Sequence, residues 1–555
     1  NQKYGRGRSS RKKVEYENVS YQEDDVWFRE GRSRSIYHDL NTEDITRVSV
    51  LGPNGETIKG DWEAATKRKI RFRSMQDVDN AQIIVEGRIE KKANPLIWVA
   101  ENTGLLLMSV KNISASYTIT QGSSWAGYKQ STNILGMDKD FNAPGWPFVL
   151  GWQDEEFAYN AIQNGWYTAD TTLNAPFLMA KNENLNFRVT LEPVKGLKID
   201  LTANRSISEN NNRYYYHDSS EPYSQTVTGN FSMTYITIGS AFEGGSNDNR
   251  YYSQAFEDFK AYRTEISQRL AEQHSITTPH SEDGGGYMEG YGALSQDVLG
   301  PAFLASYGWY YDEGNIPLDM FQKIPLPNWS IRYDGLKDIP FVKKIFKSVN
   351  LSHIYRSSYN IGSYINNTDY SFGDENYLAL NEAGNFIPEY TFNSVSINEQ
   401  FSPLINIDLT WINNLTTRFE IKKSRTVTLN FSNSQITEVF TDELGFSLGY
   451  RFDDFNLIFD FGDGQENFKS DLNVRANLKI RDNKTVLRKI IEDDEDPSAD
   501  QKVTIIGVSA DYLLSNRLTL RLFYDQNISD PLVGTNPFRI SNTDVGFSLR
   551  FTLTE

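Results

Sequence analysis

Apolar and polar residues alternate with period two through the last third of the chain. At the C-terminus Val545, Phe547, Leu549, Phe551 and Leu553 fall on one face, and Gly546, Ser548, Arg550, Thr552 and Thr554 on the other. Upstream, Leu518, Leu520, Leu522 and Tyr524 interleave with Thr519, Arg521, Phe523 and Asp525. Leu472, Val474, Ala476, Leu478 and Ile480 interleave with Asn473, Arg475, Asn477, Lys479 and Arg481. Ile506/Val508/Ala510/Tyr512, Phe446/Leu448/Tyr450/Phe452, Leu415/Phe419/Ile421 and Ile405/Ile407/Leu409/Trp411 repeat the pattern, with Asn406, Asp408, Arg418 and Glu420 opposite. Such alternation predicts strands with one apolar and one polar face. Charges on the polar face of strand after strand do not fit a sandwich, whose inner faces are apolar. They fit a barrel in lipid, apolar outside and hydrated inside.

The connections extend this reading. Leu514-Ser515-Asn516 is a tight turn, whereas Asp482 to Lys502, with IEDDEDPSAD inside it, and Gln526 to Thr543 read as long solvated loops. Outer-membrane barrels have short periplasmic turns and longer outer loops, so the C-terminus is expected on the periplasmic side. Residues 346–555 are then C-terminal barrel hairpins. In FEDFKAYRTEISQRLAEQH (256–274), Phe256, Phe259, Tyr262, Ile266 and Leu270 recur every three to four residues, which predicts an amphipathic helix. Gly- and Pro-punctuated segments surround it, so 241–345 reads either as a helix-containing insertion packed on the barrel or as a cap or gate region. Between 91 and 240, strand-like runs such as ENLNFRVTLEPV and GLKIDLTANRSIS return, around the aromatic stretch NAPGWPFVLGWQDEEFAYNAIQNGWY (142–167). Trp146, Trp152, Trp166, Phe256 and Phe259 are the candidate gate or partner contacts. Residues 1–90 show mixed β-like and turn segments without a clear plan.

Composition narrows the classes. Aromatics make up 13% of the 555 residues, yet the hydrophobic fraction is only 39%, and mean hydropathy is −0.54. No apolar run approaches the ~20 residues of a spanning helix, so any crossing must use strands closed into a barrel. The absence of cysteine removes disulfides and thiolate chemistry. A net charge of −17 argues against generic nucleic-acid binding; the basic start (Lys3, Arg6, Arg8, Arg11, Lys12, Lys13) reads as a solvated or interfacial tail. The chain opens at Asn1 without a leader, which reads as a mature form or a piece of something longer. The five histidines are scattered and form no HExxH, and GxSxG, Walker A and GxGxxG motifs are missing. GDGQEN reads as a hairpin turn, and no catalytic, metal or cofactor-binding residue is assigned. The chain reads as no enzyme.

A resemblance joins these segments. NPLIWVAENTGLLLMSVKNISASYT (94–118), APGWPFVLGWQ, ENLNFRVTLEPVKGLKIDLTANR (183–205), FKAYRTEISQRLA, GYGALSQDVLGPAFLASY, LPNWSIRYDGL, SDLNVRANLKIRDN and SADYLLSNRLTLRLFYDQN resemble the SprA/Sov family, the outer-membrane translocon of type 9 secretion in Bacteroidetes. The resemblance runs from roughly residue 80 to the end. It implies an all-β fold, a transmembrane antiparallel β-barrel forming part of a very large one, with long loops and a mixed helical insertion. It implies a multi-pass outer-membrane location, export of folded cargo carrying a C-terminal signal domain, a PorV-type shuttle barrel and a separate plug protein as partners, and no cofactor. Family chains are several times longer, so these residues match the C-terminal part. The lumen-facing candidates are Arg418, Glu420, Asn473, Arg475, Asn477, Lys479, Arg521, Asp525 and Arg550. The last strand, through Phe547, Leu549, Phe551 and Leu553, resembles the signal read by barrel-assembly machinery, although Thr554 and Glu555 follow where such signals end on an aromatic. The rival reading is a TonB-type receptor or porin-like barrel for small solutes.

Overall fold

The computed structural model describes residues 16–90 and 109–553, apart from 217–221, 243–250, 309–315, 371–378, 461–464, 534–537 and the single positions 39, 41, 43, 155, 171, 284, 493 and 516. The basic start, His217, the first half of GDGQEN and the final two residues therefore lie outside the described residues. The chain divides into two compact units, 1–105 and 106–555.

In the first unit, β1 (Tyr16–Phe28), β2 (Ser33–Tyr37), β3 (Ile45–Leu51), β4 (Thr57–Ile58), β5 (Gly60–Thr66), β6 (Lys69–Ser74) and β7 (Val78–Glu90) form two sheets, ordered β1-β7-β3-β4 and β2-β6-β5. Val26, Phe28, Ile36, Ile70, Phe72, Ile83 and Val85 fill one core. In β6 Ile70 and Phe72 are buried while Arg71 and Arg73 stay exposed, the alternation expected of a half-buried strand. The segment that reads as mixed in sequence is a small two-sheet sandwich.

The second unit is one antiparallel sheet with helices packed on it. Its strands are β8 (Val110–Trp125), β9 (Phe177–Leu191), β10 (Leu197–Tyr215), β11 (Pro222–Thr234), β12 (Asn328–Tyr333), β13 (Phe346–Asn366), β14 (Tyr390–Phe392), β15 (Ser394–Trp411), β16 (Leu415–Asn430), β17 (Gln435–Asp460), β18 (Gln465–Lys489), β19 (Asp494–Ser515), β20 (Leu518–Val533) and β21 (Ile540–Phe551). All 14 belong to a single sheet, and its main path runs β21-β20-β19-β18-β17-β16-β15-β13-β11-β10-β9-β8. The fold is all-β, built as the meander of a transmembrane barrel wall.

One wall strand is split. β11 pairs Arg205 to Tyr215 of β10, and β12 pairs Leu197 to Thr202 of the same strand. On the other flank they meet Ser358 to Ile365 and Leu351 to Tyr355 of β13. β11 and β12 are thus two halves of one strand, interrupted by residues 235–327. Side chains bridge the gap in the ladder. The Thr234 hydroxyl accepts from the Asn204 backbone N–H at 3.0 Å, and the Asn328 side-chain oxygen accepts from that of Ser357 at 2.8 Å. The Tyr235 N–H donates to the Ser357 carbonyl at 3.2 Å. Buried backbone groups left by the break thereby keep their partners. The insertion expected at 241–345 is corrected to 235–327, because NWSIRY resumes the wall behind Pro325 and Pro327, which hide the strand in the sequence.

Two expected loops are also corrected. β18 continues to Lys489 and β19 begins at Asp494, with Asp482 to Lys489 paired against Asp494 to Lys502. The acidic run is held in strand by Arg488, whose guanidinium lies 2.8 Å from Glu495. Likewise β20 reaches Val533 and β21 starts at Ile540, so only 534–539 connect them. The excursions 126–176 and 367–389 nevertheless leave from the end of the sheet opposite the tight β15–β16 and β19–β20 turns, while 235–327 leaves from the middle of its strand. That asymmetry matches barrel hairpins with short turns on one side.

Among the described residues the three longest helices of the unit are α1 (Phe157–Gln163), α2 (Gln254–Gln273) and α3 (Gln296–Tyr307). Ser253 caps α2, accepting from the Phe256 N–H at 3.3 Å, as N-cap serines do. Among the described residues no helix is long and apolar enough to cross a membrane.

Candidate membrane-facing wall

Register aligns the apolar positions into rows. Leu351, Ile407, Phe419, Phe446, Leu478 and Ile506 stand side by side on six neighbouring strands. Parallel rows carry Leu448, Ala476, Val508, Tyr524 and Val545, and then Tyr450, Val474, Ala510, Leu522 and Phe547. These side chains stand open: Phe446 is 42% exposed, Leu522 51% and Phe547 71%. A contiguous apolar surface of this extent marks an interaction face. On β18 it runs from Leu472 to Ile480, about 26 Å at the rise of a strand, close to the ~25 Å apolar band of barrels in lipid.

The band ends on a row of charges on the same face: Lys423, Asp442, Asp482, Lys502 and Asp530 on five successive strands. Lys423 Nζ lies 3.6 Å from Asp442 Oδ1. Beyond that row the face is apolar again but covered. Val395, Ile397, Val427, Leu429 and Ile436 join one buried cluster with Phe256, Phe259, Ile266 and Leu270 of α2 and Val298, Leu299, Ala302 and Phe303 of α3. Phe256 and Phe259 are fully buried there. They are corrected as partner contacts, because the apolar stripe of α2 is used up in seating the insertion on the sheet.

Two buried ion pairs fasten the insertion. Arg488 lies 2.7 Å from Glu438, and both side chains are 1% exposed. Tyr307 of α3 donates its hydroxyl to Glu438 at 2.5 Å, and Arg488 donates to the Tyr251 carbonyl at 2.8 Å. Burial, reinforced by the Glu438 carboxylate, pushes the Tyr307 hydroxyl far above the usual phenol range, so it remains a donor. Arg425 lies 3.1 Å from Glu399 and donates to the Ser240 carbonyl at 2.7 Å. Thr237 and Tyr355 donate to Glu399 at 2.6 and 2.8 Å. The sequence reading missed all four charged residues. Their signal is a charge in apolar register: Arg425 two residues before Val427, Glu399 between Ile397 and Phe401, Glu438 two after Ile436 and Arg488 two after Val486.

The opposite face is polar and its charges are paired across strands. Arg418 bonds Asp408, Arg481 donates to Glu443 at 2.9 Å, and Arg475 and Arg521 flank Asp511 at 3.8 Å each. Lys422 joins Glu420 of its own strand at 2.9 Å to Glu443 of β17 at 3.5 Å. Two concavities of about 650 and 550 Å³ share Asn350 and Asp408, and so form one trough that gathers Arg418, Arg475 and Asn477. A third groups Lys422, Glu443, Lys479 and Arg481. Asn473 stands between Arg451 and Asp511, whereas Asp525 and Arg550 share the face but line none of these concavities. Phe547, Leu549 and Phe551 lie in or beside the apolar band on β21, and Leu553 follows the strand, 81% exposed. Trp146 and Trp152 are exposed; Trp166 packs against the cluster of Phe157, Phe177 and Tyr215.

No family model matches the sequence, and no curated protein sequence does. Among solved structures, OmpT, an outer membrane protein of Vibrio cholerae in its trimer form, is 10% identical over 67% of this chain and 91% of its own, with a TM-score of 0.19. The anion-selective porin from Comamonas acidovorans is 8% identical over 69% of this chain and 94% of its own, with a TM-score of 0.11. Superpositions this loose carry no argument, and the fold rests on the strands described above.

Proposed function

We propose that the chain spans the outer membrane as an arc of a wide β-barrel and lines a water-filled passage for proteins. The observation that carries this reading is the two-faced wall: an exposed apolar band bounded by a row of charges, backed by a polar face of ion-paired, trough-forming side chains. A strand can cross lipid only if its backbone is paired on both sides. Among the described residues β8 and β21 are each paired on one side only. Further strands at these two edges would complete the ladders, which supports a barrel wider than its own twelve strand positions. A wide, hydrated lumen suits folded cargo, as the SprA/Sov resemblance implies, with a shuttle barrel, a plug protein and a cargo signal domain as partners.

Purification from outer membranes, with associated proteins identified and conductance recorded, tests the proposal. Recovery within a larger barrel, with companion proteins and a pore blocked until they leave, is expected. A lone closed barrel conducting small ions steadily, with nothing attached, would overturn it in favour of a solute channel.

A further inference from the structure

Next to the insertion, where the β16–β17 turn meets the segment before β14, lies a cavity of about 330 Å³. Its described lining includes no charged side chain; four asparagines and the rings of Phe386 and Phe431 dominate it. We propose that this cavity binds a neutral carbohydrate unit.

The asparagines are fixed in orientation. The Asn381 side-chain oxygen accepts from the backbone N–H groups of Ala383 and Asn385, both at 3.0 Å. The Asn385 oxygen accepts from Gly292 at 2.7 Å, and that of Asn367 from Asp369 at 3.0 Å. A backbone N–H can only donate, so the atom it meets must be the amide oxygen. Three side-chain NH₂ groups are thereby left as donors. Asn393 is held the other way: its NH₂ donates to Ser363 Oγ at 2.9 Å, which leaves its oxygen as an acceptor. Sugar hydroxyls both accept and donate, and they match this mixed set. Among the described lining residues an anion would find no cation, and a cation no carboxylate.

The aromatic floor is equally fixed. Phe386 packs edge-on to Tyr291, ring centroids 5.1 Å apart. A Cβ on Gly290, whose φ is +83°, would sit 1.9 Å from the Phe386 ring. Phe431 lies 6.2 Å from Phe392. Ring faces bordered by oriented amides suit the apolar C–H face of a pyranose, in keeping with pockets that combine apolar walls with a few placed polar groups. The proposal rests on this lining alone and is independent of the membrane reading.

Saturation-transfer NMR on the full chain in detergent micelles tests it, with glucose, mannose and N-acetylglucosamine as probes and a neutral tetra-alanine peptide as competitor. Transfer to the ring protons of at least one sugar is expected. The double variant N367D/N381D keeps an acceptor for each backbone N–H but removes two donors, and should weaken binding at least tenfold. Phe431→Leu, which leaves the amide fastenings untouched, should weaken it as well. Absence of transfer to every sugar, equal transfer to the double variant and Phe431→Leu, or displacement by the peptide would each overturn the proposal.

Discussion

At the scale of single residues, the positions that matter most are charges placed where an apolar residue belongs. Glu438 and Arg488 are both 1% exposed, and removing one partner of a buried pair typically costs about 3–5 kcal/mol, while replacing both by apolar groups is often neutral. Arg488→Met should therefore loosen the insertion, read as faster hydrogen exchange across 254–273, and the double variant E438L/R488M should recover most of the protection. A double variant as loose as the single one would contradict a clamp made by the pair. Asp297, in the first turn of α3, has its carboxyl pushed up to about 6 by burial. A raised carboxyl contributes stability that is fully present below about pH 4 and is lost as pH rises through about 6. Protection of the insertion should thus fall between pH 4 and 7, and Asp297→Asn should flatten that part of the profile. The lumen candidates were legible as charges in polar register, but their partners were not. Pairing Arg475 with Asp511 requires a register that alternation alone does not set.

At the scale of elements, alternation located the wall strands but misplaced their ends. Beyond the row Lys423, Asp442, Asp482, Lys502 and Asp530, the chain is polar enough to look like loop, yet the ladder continues because Arg488 and its carboxylates replace lipid as the neighbour of that face. The split strand escaped for a different reason. Its halves are separated by 93 residues, 235–327, and only pairing with β10 and β13 shows that they share one line. Helix α2 was legible from its stripe, but the stripe alone did not say what covers it. β21 bears the sharpest test at this scale. Its face is exposed along the strand, with Phe551 60% exposed, so Phe551→Asp should abolish membrane insertion in a fractionation assay while the urea-solubilised chain accumulates. Normal assembly of that variant would remove β21 from the lipid-facing surface.

For the whole molecule, the class of fold was legible because an apolar band and a polar face cannot both be satisfied by one solvent. The first unit was not, because five of its seven strands run for only two to seven residues and its two sheets exchange strands along the sequence, so a stretch such as β6 carries the pattern too briefly to reveal the plan. The central claim is that one face of the sheet meets lipid and the other water. The chain has no cysteine, so single cysteines can be placed along β18 from Leu472 to Lys479 and the protein reconstituted in membranes. Labelling by a membrane-impermeant maleimide should alternate: cysteines replacing Asn473, Arg475, Asn477 and Lys479 react, while those replacing Leu472, Val474, Ala476 and Leu478 resist it and are quenched by spin-labelled lipid. Equal labelling of both sets, or the reverse alternation, would contradict the two-faced wall.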